Sequence, residues 1–102
     1  MHASHSPSSR GLHRRLARAL RIVGDESEPR SERAAAARRA ASVAEKLGIL
    51  VRPTRCERCG ERSRALERHH EDHNRPLDVA FVCPLCHQIA DAAKMAGRSA
   101  AG

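Results

Sequence analysis

The sequence predicts a small α+β domain preceded by two α-helices, and three observations support this prediction. In the first half of the chain, apolar residues recur at helical spacing over residues 12–23, and an alanine-rich segment follows. In the second half, turn residues at 72–76 separate two short segments, 65–70 and 78–82, that can pair as a β-hairpin. Two Cys-x-x-Cys pairs flank that hairpin, Cys56 with Cys59 and Cys83 with Cys86.

The first helix is predicted to be short, amphipathic and basic. Its apolar stripe consists of Leu12, Leu16, Ala19, Leu20 and Val23. Largely off that stripe lie the arginines Arg14, Arg15, Arg18 and Arg21. Gly24 and the polar run 25–29 end the helix and form a linker. Residues 1–10 contain Ser, Pro and His with nothing to bury, so they are predicted to form a disordered tail.

The second helix is predicted from Ser31 to about Leu47. Ser31 suits the N-cap position because its hydroxyl can accept a hydrogen bond from a free backbone N–H, and Glu32 lies near the positive end of the helix dipole. Gly48 is placed to be the C′ residue, where a left-handed conformation favours glycine. Residues 11–48 are therefore predicted to form a basic helical N-terminal extension.

Residues 49–96 are predicted to form the α+β domain itself. The segment 56–60 forms a tight knuckle, in which Gly60 relieves the backbone after the second cysteine. The second knuckle leads into a helix from His87 to about Met95, which Gly97 ends. Residues 97–102 are predicted to be a second disordered tail.

A domain of this composition needs a staple because it buries little apolar surface. Its one aromatic residue is Phe81, and many of its apolar residues are alanine. The sequence has no secretory signal and no stretch of about 20 apolar residues, which predicts a cytoplasmic protein without a membrane partner. In that compartment the four cysteines are expected to hold a structural zinc ion rather than two disulfides, since the two pairs supply four soft thiolates.

The charge of the chain predicts a polyanionic partner. The net charge is +7, and residues 1–54 contain 11 Lys and Arg against 5 Asp and Glu. Arginine suits bidentate contacts to phosphate, so DNA, or else RNA, is the expected partner. The alternative interpretation is the solvated face of an arginine-rich sequence. The residues predicted to contact nucleic acid are Arg14, Arg15, Arg18, Arg38 and Arg39.

Three further motifs lie between and after the cysteines. They are Leu66-Glu-Arg-His69-His70-Glu-Asp72, Pro76-Leu-Asp-Val79 and Val82-Cys-Pro-Leu-Cys-His87. Together with the cysteines, over about residues 49–91, they resemble the HNH endonuclease superfamily, and more narrowly its short phage-encoded members with a four-cysteine zinc site. The resemblance implies a ββα-metal fold, similar to a treble clef, that a zinc ion stabilises. It also implies metal-dependent hydrolysis or nicking of phosphodiester bonds in DNA. A phage-encoded member would act in the host cytoplasm.

The resemblance also implies roles for individual residues. His69 matches a ligand of a catalytic divalent ion such as Mg²⁺, Mn²⁺ or Ni²⁺, and His70 matches the general base, since histidine titrates near neutral pH. His87 matches a ligand at the start of the helix, and Asp91, one helical turn later on the same face, could complete the site. Asp78 stands where the family has the asparagine that pins the loop bearing the base, and Asp91 where it often has histidine.

Two alternatives remain open from the sequence. A non-catalytic zinc-binding module could bind DNA or RNA with the same basic helices. A phage accessory protein could instead dock a partner protein on the alanine block around Ala34–Ala37, which is smooth for a surface that contacts DNA. The sequence leaves the oligomeric state open.

Overall fold

The computed structural model of the chain describes residues 7–101. In chain order its elements are α1 (Pro7–Val23), α2 (Arg30–Lys46), β1 (Glu67–His70), β2 (Val79–Val82) and α3 (Pro84–Ala101). The predicted α+β class is confirmed at this level, with three helices and one two-stranded antiparallel sheet in the described part of the chain. None of these helices is both long enough and apolar enough to cross a membrane.

The described residues divide into two compact units. The first contains α1, α2 and the chain up to residue 51, together with the segment 72–78. The second contains residues 52–71 and the chain from residue 79 onward. The sequence predicted turn residues at 72–76 as part of the hairpin, whereas the segment 72–78 belongs to the first unit because of its contacts. Leu77 packs on the core between α1 and α2, and the Arg33 guanidinium donates a hydrogen bond to Asn74 Oδ1 at 3.1 Å.

The first unit is held together by the alanine face of α2. The buried core between the helices consists of two clusters, Leu16, Ala19, Ala40 and Val43 in one, and Val23, Ala36 and Ala37 in the other. The alanines of α2 in these clusters are completely buried. Small side chains allow two helices to approach closely, since the distance between helix axes depends on the side chains at the contact. The smooth alanine surface is thus used for packing inside the unit.

Both N-terminal helices begin earlier than the sequence predicted. Helix α1 begins at Pro7 rather than at Leu12, because proline at the first helical position already has the required φ. Helix α2 begins at Arg30, and its N-cap is Pro29 without a side-chain hydrogen bond. The prediction of Ser31 as the N-cap was therefore wrong: the Pro29 carbonyl accepts the Arg33 N–H at 3.0 Å and closes the first turn before Ser31. Residues 1–6 of the predicted tail lie outside the described residues.

The C-terminal ends of α2 and α3 follow different rules. Gly48, with φ of 79°, follows the C-cap Leu47 of α2, which confirms the predicted helix end. Helix α3 instead continues through Gly97, where the sequence predicted its end. A glycine inside a helix costs about 1 kcal/mol, which the many alanines of α3 can offset. Of the predicted second tail, residue 102 lies outside the described residues.

The second unit contains the predicted hairpin. Strands β1 and β2 pair with His69 opposite Ala80 and His70 opposite Val79. The residues Leu66, Phe81, Val82, Cys56 and Cys86 are buried. Two hydrogen bonds connect the first knuckle to β2: Glu57 N–H to the Phe81 carbonyl (2.9 Å) and Phe81 N–H to Glu57 Oε1 (2.6 Å). The knuckle is thereby fixed to the strand that precedes the second cysteine pair.

Candidate metal centres

The four cysteines converge, as the sequence predicted. Their Sγ atoms all lie within 4.8 Å of one another, and all four are free thiols. The sulfurs of Cys59 and Cys83 are 4.0 Å apart. Four thiolates bound tetrahedrally at about 2.3 Å would lie roughly 3.8 Å from one another. The cluster therefore matches the size and donor type of a structural zinc site.

Local backbone geometry positions each pair of thiols. In the first knuckle, Gly60 adopts φ of 80° and donates its N–H to the Cys56 carbonyl at 2.9 Å. The left-handed conformation favours glycine, which lacks a Cβ to clash there. The second pair lies at the start of α3, where the His87 N–H bonds to the Cys83 carbonyl at 2.9 Å. One pair is therefore supplied by a turn and the other by a helix start.

The two buried thiols, those of Cys56 and Cys86, are electrostatically unequal. Burial opposes ionisation of Cys56, but backbone N–H groups of Cys59, Cys83 and Arg58 donate to its sulfur and bring its pKa down to about 6. For Cys86, burial and the neighbouring thiols, Cys83 first, raise the pKa to about 12. Cys56 can therefore ligate as a thiolate near neutral pH, whereas the Cys86 thiol would have to release its proton to solvent as its sulfur binds an ion.

A second cluster brings together His69, His87 and Asp91, the three residues predicted as ligands of a catalytic ion. One ligand atom from each lies within 4.8 Å of the others. Asp91 faces both imidazoles, with Oδ1 at 3.4 Å from His69 Nδ1 and Oδ2 at 3.5 Å from His87 Nε2. The side chain of His69 is 7% exposed and that of Asp91 56% exposed. One side of the cluster is buried and the other is open to solvent.

One nitrogen of His69 is buried without a partner in the described part of the chain, while the other, Nδ1, faces Asp91. His69 Nε2 has no hydrogen-bond partner among the described residues, and the nearest carboxylate oxygen given for it, Glu71 Oε1, is 3.7 Å away. Buried polar atoms without partners are uncommon and indicate an unassigned ion or water. Two imidazole nitrogens and a carboxylate fit a divalent transition metal. The residues present therefore suit such an ion.

Glu67 is a member of this site that sequence reasoning missed. Its Oε1 lies 2.7 Å from His87 Nδ1, while His87 Nε2 faces Asp91. A carboxylate on Nδ1–H fixes the imidazole so that the lone pair of Nε2 points to the ligand position. The available signal was strand alternation, because residues 67 and 69 share one face of β1.

The convergent ligand atoms found among the described residues do not include those of His70 or Asp78. His70 is 5% exposed and, by strand alternation, lies on the opposite face of β1 from His69. Its carbonyl accepts a hydrogen bond from Lys94 Nζ at 2.8 Å, which ties β1 to α3. Asp78 is exposed in the first unit, and its Oδ2 lies 3.3 Å from Arg75 Nη2 within the same turn.

The arginines predicted to contact nucleic acid are exposed on α1 and α2. Three of them, Arg15, Arg18 and Arg39, line an open groove of about 320 Å³ between these helices. The lining given for that groove does not include Arg14 or Arg38. The groove is large enough for a phosphate group and carries positive charge on both walls.

No protein-family model, curated protein or solved structure matches this chain. The assignment of function therefore depends on the motifs and on the geometry of the two clusters.

Proposed function

We propose that this protein is a metal-dependent DNA endonuclease of the HNH type, which hydrolyses or nicks phosphodiester bonds. The observation that carries the proposal is the convergence of His69, His87 and Asp91 in the unit that also holds the four-cysteine cluster. A structural zinc site alone is closed to substrate, whereas the second cluster has an exposed side.

In this proposal His69, His87 and Asp91 hold the divalent ion. A bound divalent cation supplies positive charge against the scissile phosphate and stabilises the leaving oxygen. Two imidazoles and one carboxylate suit Mn²⁺ or Ni²⁺ better than Mg²⁺, which prefers oxygen ligands. Glu67 keeps the His87 ring in the orientation that presents Nε2 to Asp91 and the ion.

His70 is assigned the proton transfer. An imidazole nitrogen can take the proton of the attacking water and later release it. The hydrogen bond from Lys94 to the His70 carbonyl holds the base-bearing strand against α3. Base and ligands are consequently positioned by the same two elements, β1 and α3.

The test is nicking of supercoiled plasmid by zinc-loaded protein with added Mg²⁺, Mn²⁺ or Ni²⁺. His70→Ala and His87→Ala are compared with Gln88→Ala, an exposed neighbour on the same helix that contributes no ligand. Zinc content and circular dichroism confirm that each variant is folded, and His70→Gln replaces His70→Ala if the smaller side chain prevents folding. Nicking that persists in Gln88→Ala and disappears in the two histidine variants supports the proposal.

Two other results would count against the nuclease. Equal nicking by wild type and by the histidine variants would indicate a contaminant. Absence of nicking by folded, zinc-loaded wild type with any of the three ions would favour a non-catalytic nucleic-acid-binding module. That alternative draws on the arginine-lined groove of α1 and α2, which needs no catalytic ion. The accessory-protein alternative loses its main argument, since the alanine face of α2 is buried.

A further inference from the structure

The second unit contains a basic recess that lies outside the two metal clusters. We call it the knuckle pocket, and its volume is about 610 Å³. It is lined by Arg52, Pro53, Thr54, Arg62, Ser63 and Arg64. Sequence reasoning assigned nucleic-acid contacts to the N-terminal helices alone. The segment 52–64 nevertheless contains five arginines against two glutamates.

The backbone of the first knuckle brings the arginines together. An antiparallel bridge pairs Arg55 with Arg62, and the Ser63 N–H donates to the Thr54 carbonyl at 3.3 Å. The two arms of the knuckle therefore lie side by side. As a result, three arginines line the same recess although they are separated in sequence. Arg52 lies on one arm, and Arg62 and Arg64 lie on the other.

Arg52 forms a fixed wall of the knuckle pocket. Its guanidinium lies 5.0 Å from the centroid of the Phe81 ring and donates a hydrogen bond to the Leu66 carbonyl. A stacked guanidinium loses less freedom on binding an anion than a free side chain does. Leu66 immediately precedes β1, so Arg52 also connects the pocket to the strand that carries His69 and His70.

The other groups in the knuckle pocket suit a phosphate. Arg62 and Arg64 are exposed, and within the described residues neither forms an ion pair. Ser63 Oγ accepts a hydrogen bond from the Ala65 N–H at 3.1 Å, so its hydroxyl proton is available to donate. Thr54 adds a second hydroxyl. Guanidinium and hydroxyl groups are the side chains that bind backbone phosphates in nucleic-acid complexes.

We propose that the knuckle pocket binds a backbone phosphate of the DNA substrate, near the bond that is cut. The identity of the anion rests on the proposed nuclease function. Leu66, which Arg52 contacts, lies three residues before His69, or roughly 10 Å along an extended strand. Successive phosphates of one strand rise about 3.4 Å along a duplex, so the bound phosphate is a few nucleotides from the scissile one.

The test measures binding of a short, fluorescently labelled DNA duplex by zinc-loaded protein, without a catalytic ion, between about 50 and 200 mM salt. The slope of log K against log salt is negative, and each lost phosphate contact reduces its magnitude by about 0.9, so R62A/R64A should reduce that magnitude by roughly 1 to 2. R62K/R64K keeps the charge but loses bidentate geometry, and should also weaken binding. The matched control is R21A/R30A, which removes two exposed arginines outside the pocket.

The outcomes separate this inference from the nuclease proposal. An unchanged slope for R62A/R64A, or an equal loss in R21A/R30A, would overturn the knuckle pocket whether or not the protein nicks DNA. A selective loss in R62A/R64A would support the pocket even if wild type fails to nick with Mn²⁺. In that case only the catalytic assignment would fall.

Discussion

Removal of the Glu67 carboxylate is expected to weaken binding of the second ion without removing any of its ligands. Glu67 Oε1 lies 2.7 Å from His87 Nδ1. Loss of such an outer partner typically costs 10- to 100-fold in metal affinity. The side chains of Glu67 and His87 are 48% and 26% exposed, so water can replace part of the interaction. We therefore expect Glu67→Ala to weaken binding about tenfold, or about 1.4 kcal/mol, and Glu67→Gln to weaken it less.

The assay is calorimetric titration of Mn²⁺ or Ni²⁺ into zinc-loaded protein, with zinc content measured before and after. Glu71→Gln is the matched control, because Glu71 Oε1 is 3.7 Å from His69 Nε2, too far for a hydrogen bond. Equal affinity in wild type and Glu67→Ala would refute the reasoning, as would an equal loss in Glu71→Gln. If the protein nicks DNA, saturating Mn²⁺ should restore the activity of Glu67→Ala but not that of His87→Ala.

Three further expectations concern stability and the relation between the two metal sites. Gly60→Ala should destabilise the second unit by about 1 kcal/mol, because φ is 80° at this position, even though no atom lies within 4 Å of the new Cβ. Gly97→Ala lies in helical backbone and should be neutral or stabilising by up to about 1 kcal/mol. Chemical denaturation of the two variants measures this difference. Leu16→Ala should cost about 2–3 kcal/mol by leaving a cavity among small residues, and exposed Leu20→Ala should cost clearly less in the same thermal melts. Chelation of zinc should abolish Mn²⁺ binding, because the second site depends on the four-cysteine site. His87→Ala should still bind one zinc per chain, as measured by mass spectrometry. Unchanged Mn²⁺ affinity in the zinc-free protein would contradict this dependence.

The features that the sequence predicted well are those with local causes. Gly48 ends α2 because a left-handed residue is needed directly after the last helical turn. Each Cys-x-x-Cys pair brings two sulfurs together through one turn, whatever the rest of the chain does. His87 and Asp91 share a helix face because they are four residues apart. Such patterns require only neighbouring residues, so the sequence contains the whole argument.

The features that the sequence did not predict depend on packing between distant segments. Glu67 reaches His87 across 20 residues of chain, and its role follows only when α3 lies beside β1. The knuckle pocket likewise needs Thr54 and Ser63 on adjacent arms. The N-cap of α2 is Pro29 rather than Ser31, because the Pro29 carbonyl accepts the Arg33 N–H and forms the first helical turn.

The two metal clusters share no ligand, yet α3 makes one depend on the other. Cys86 and His87 are consecutive, so a zinc ion that fixes the Cys86 sulfur also fixes the direction in which the His87 ring leaves the helix. Asp91 follows one helical turn later, so it lies on the same face of α3 as His87. On the opposite side, Glu57 secures the first knuckle to β2, and β2 pairs with the strand that supplies His69. A zinc ion on the four thiolates would thus also position His69, His87 and Asp91, through one helix and one hairpin.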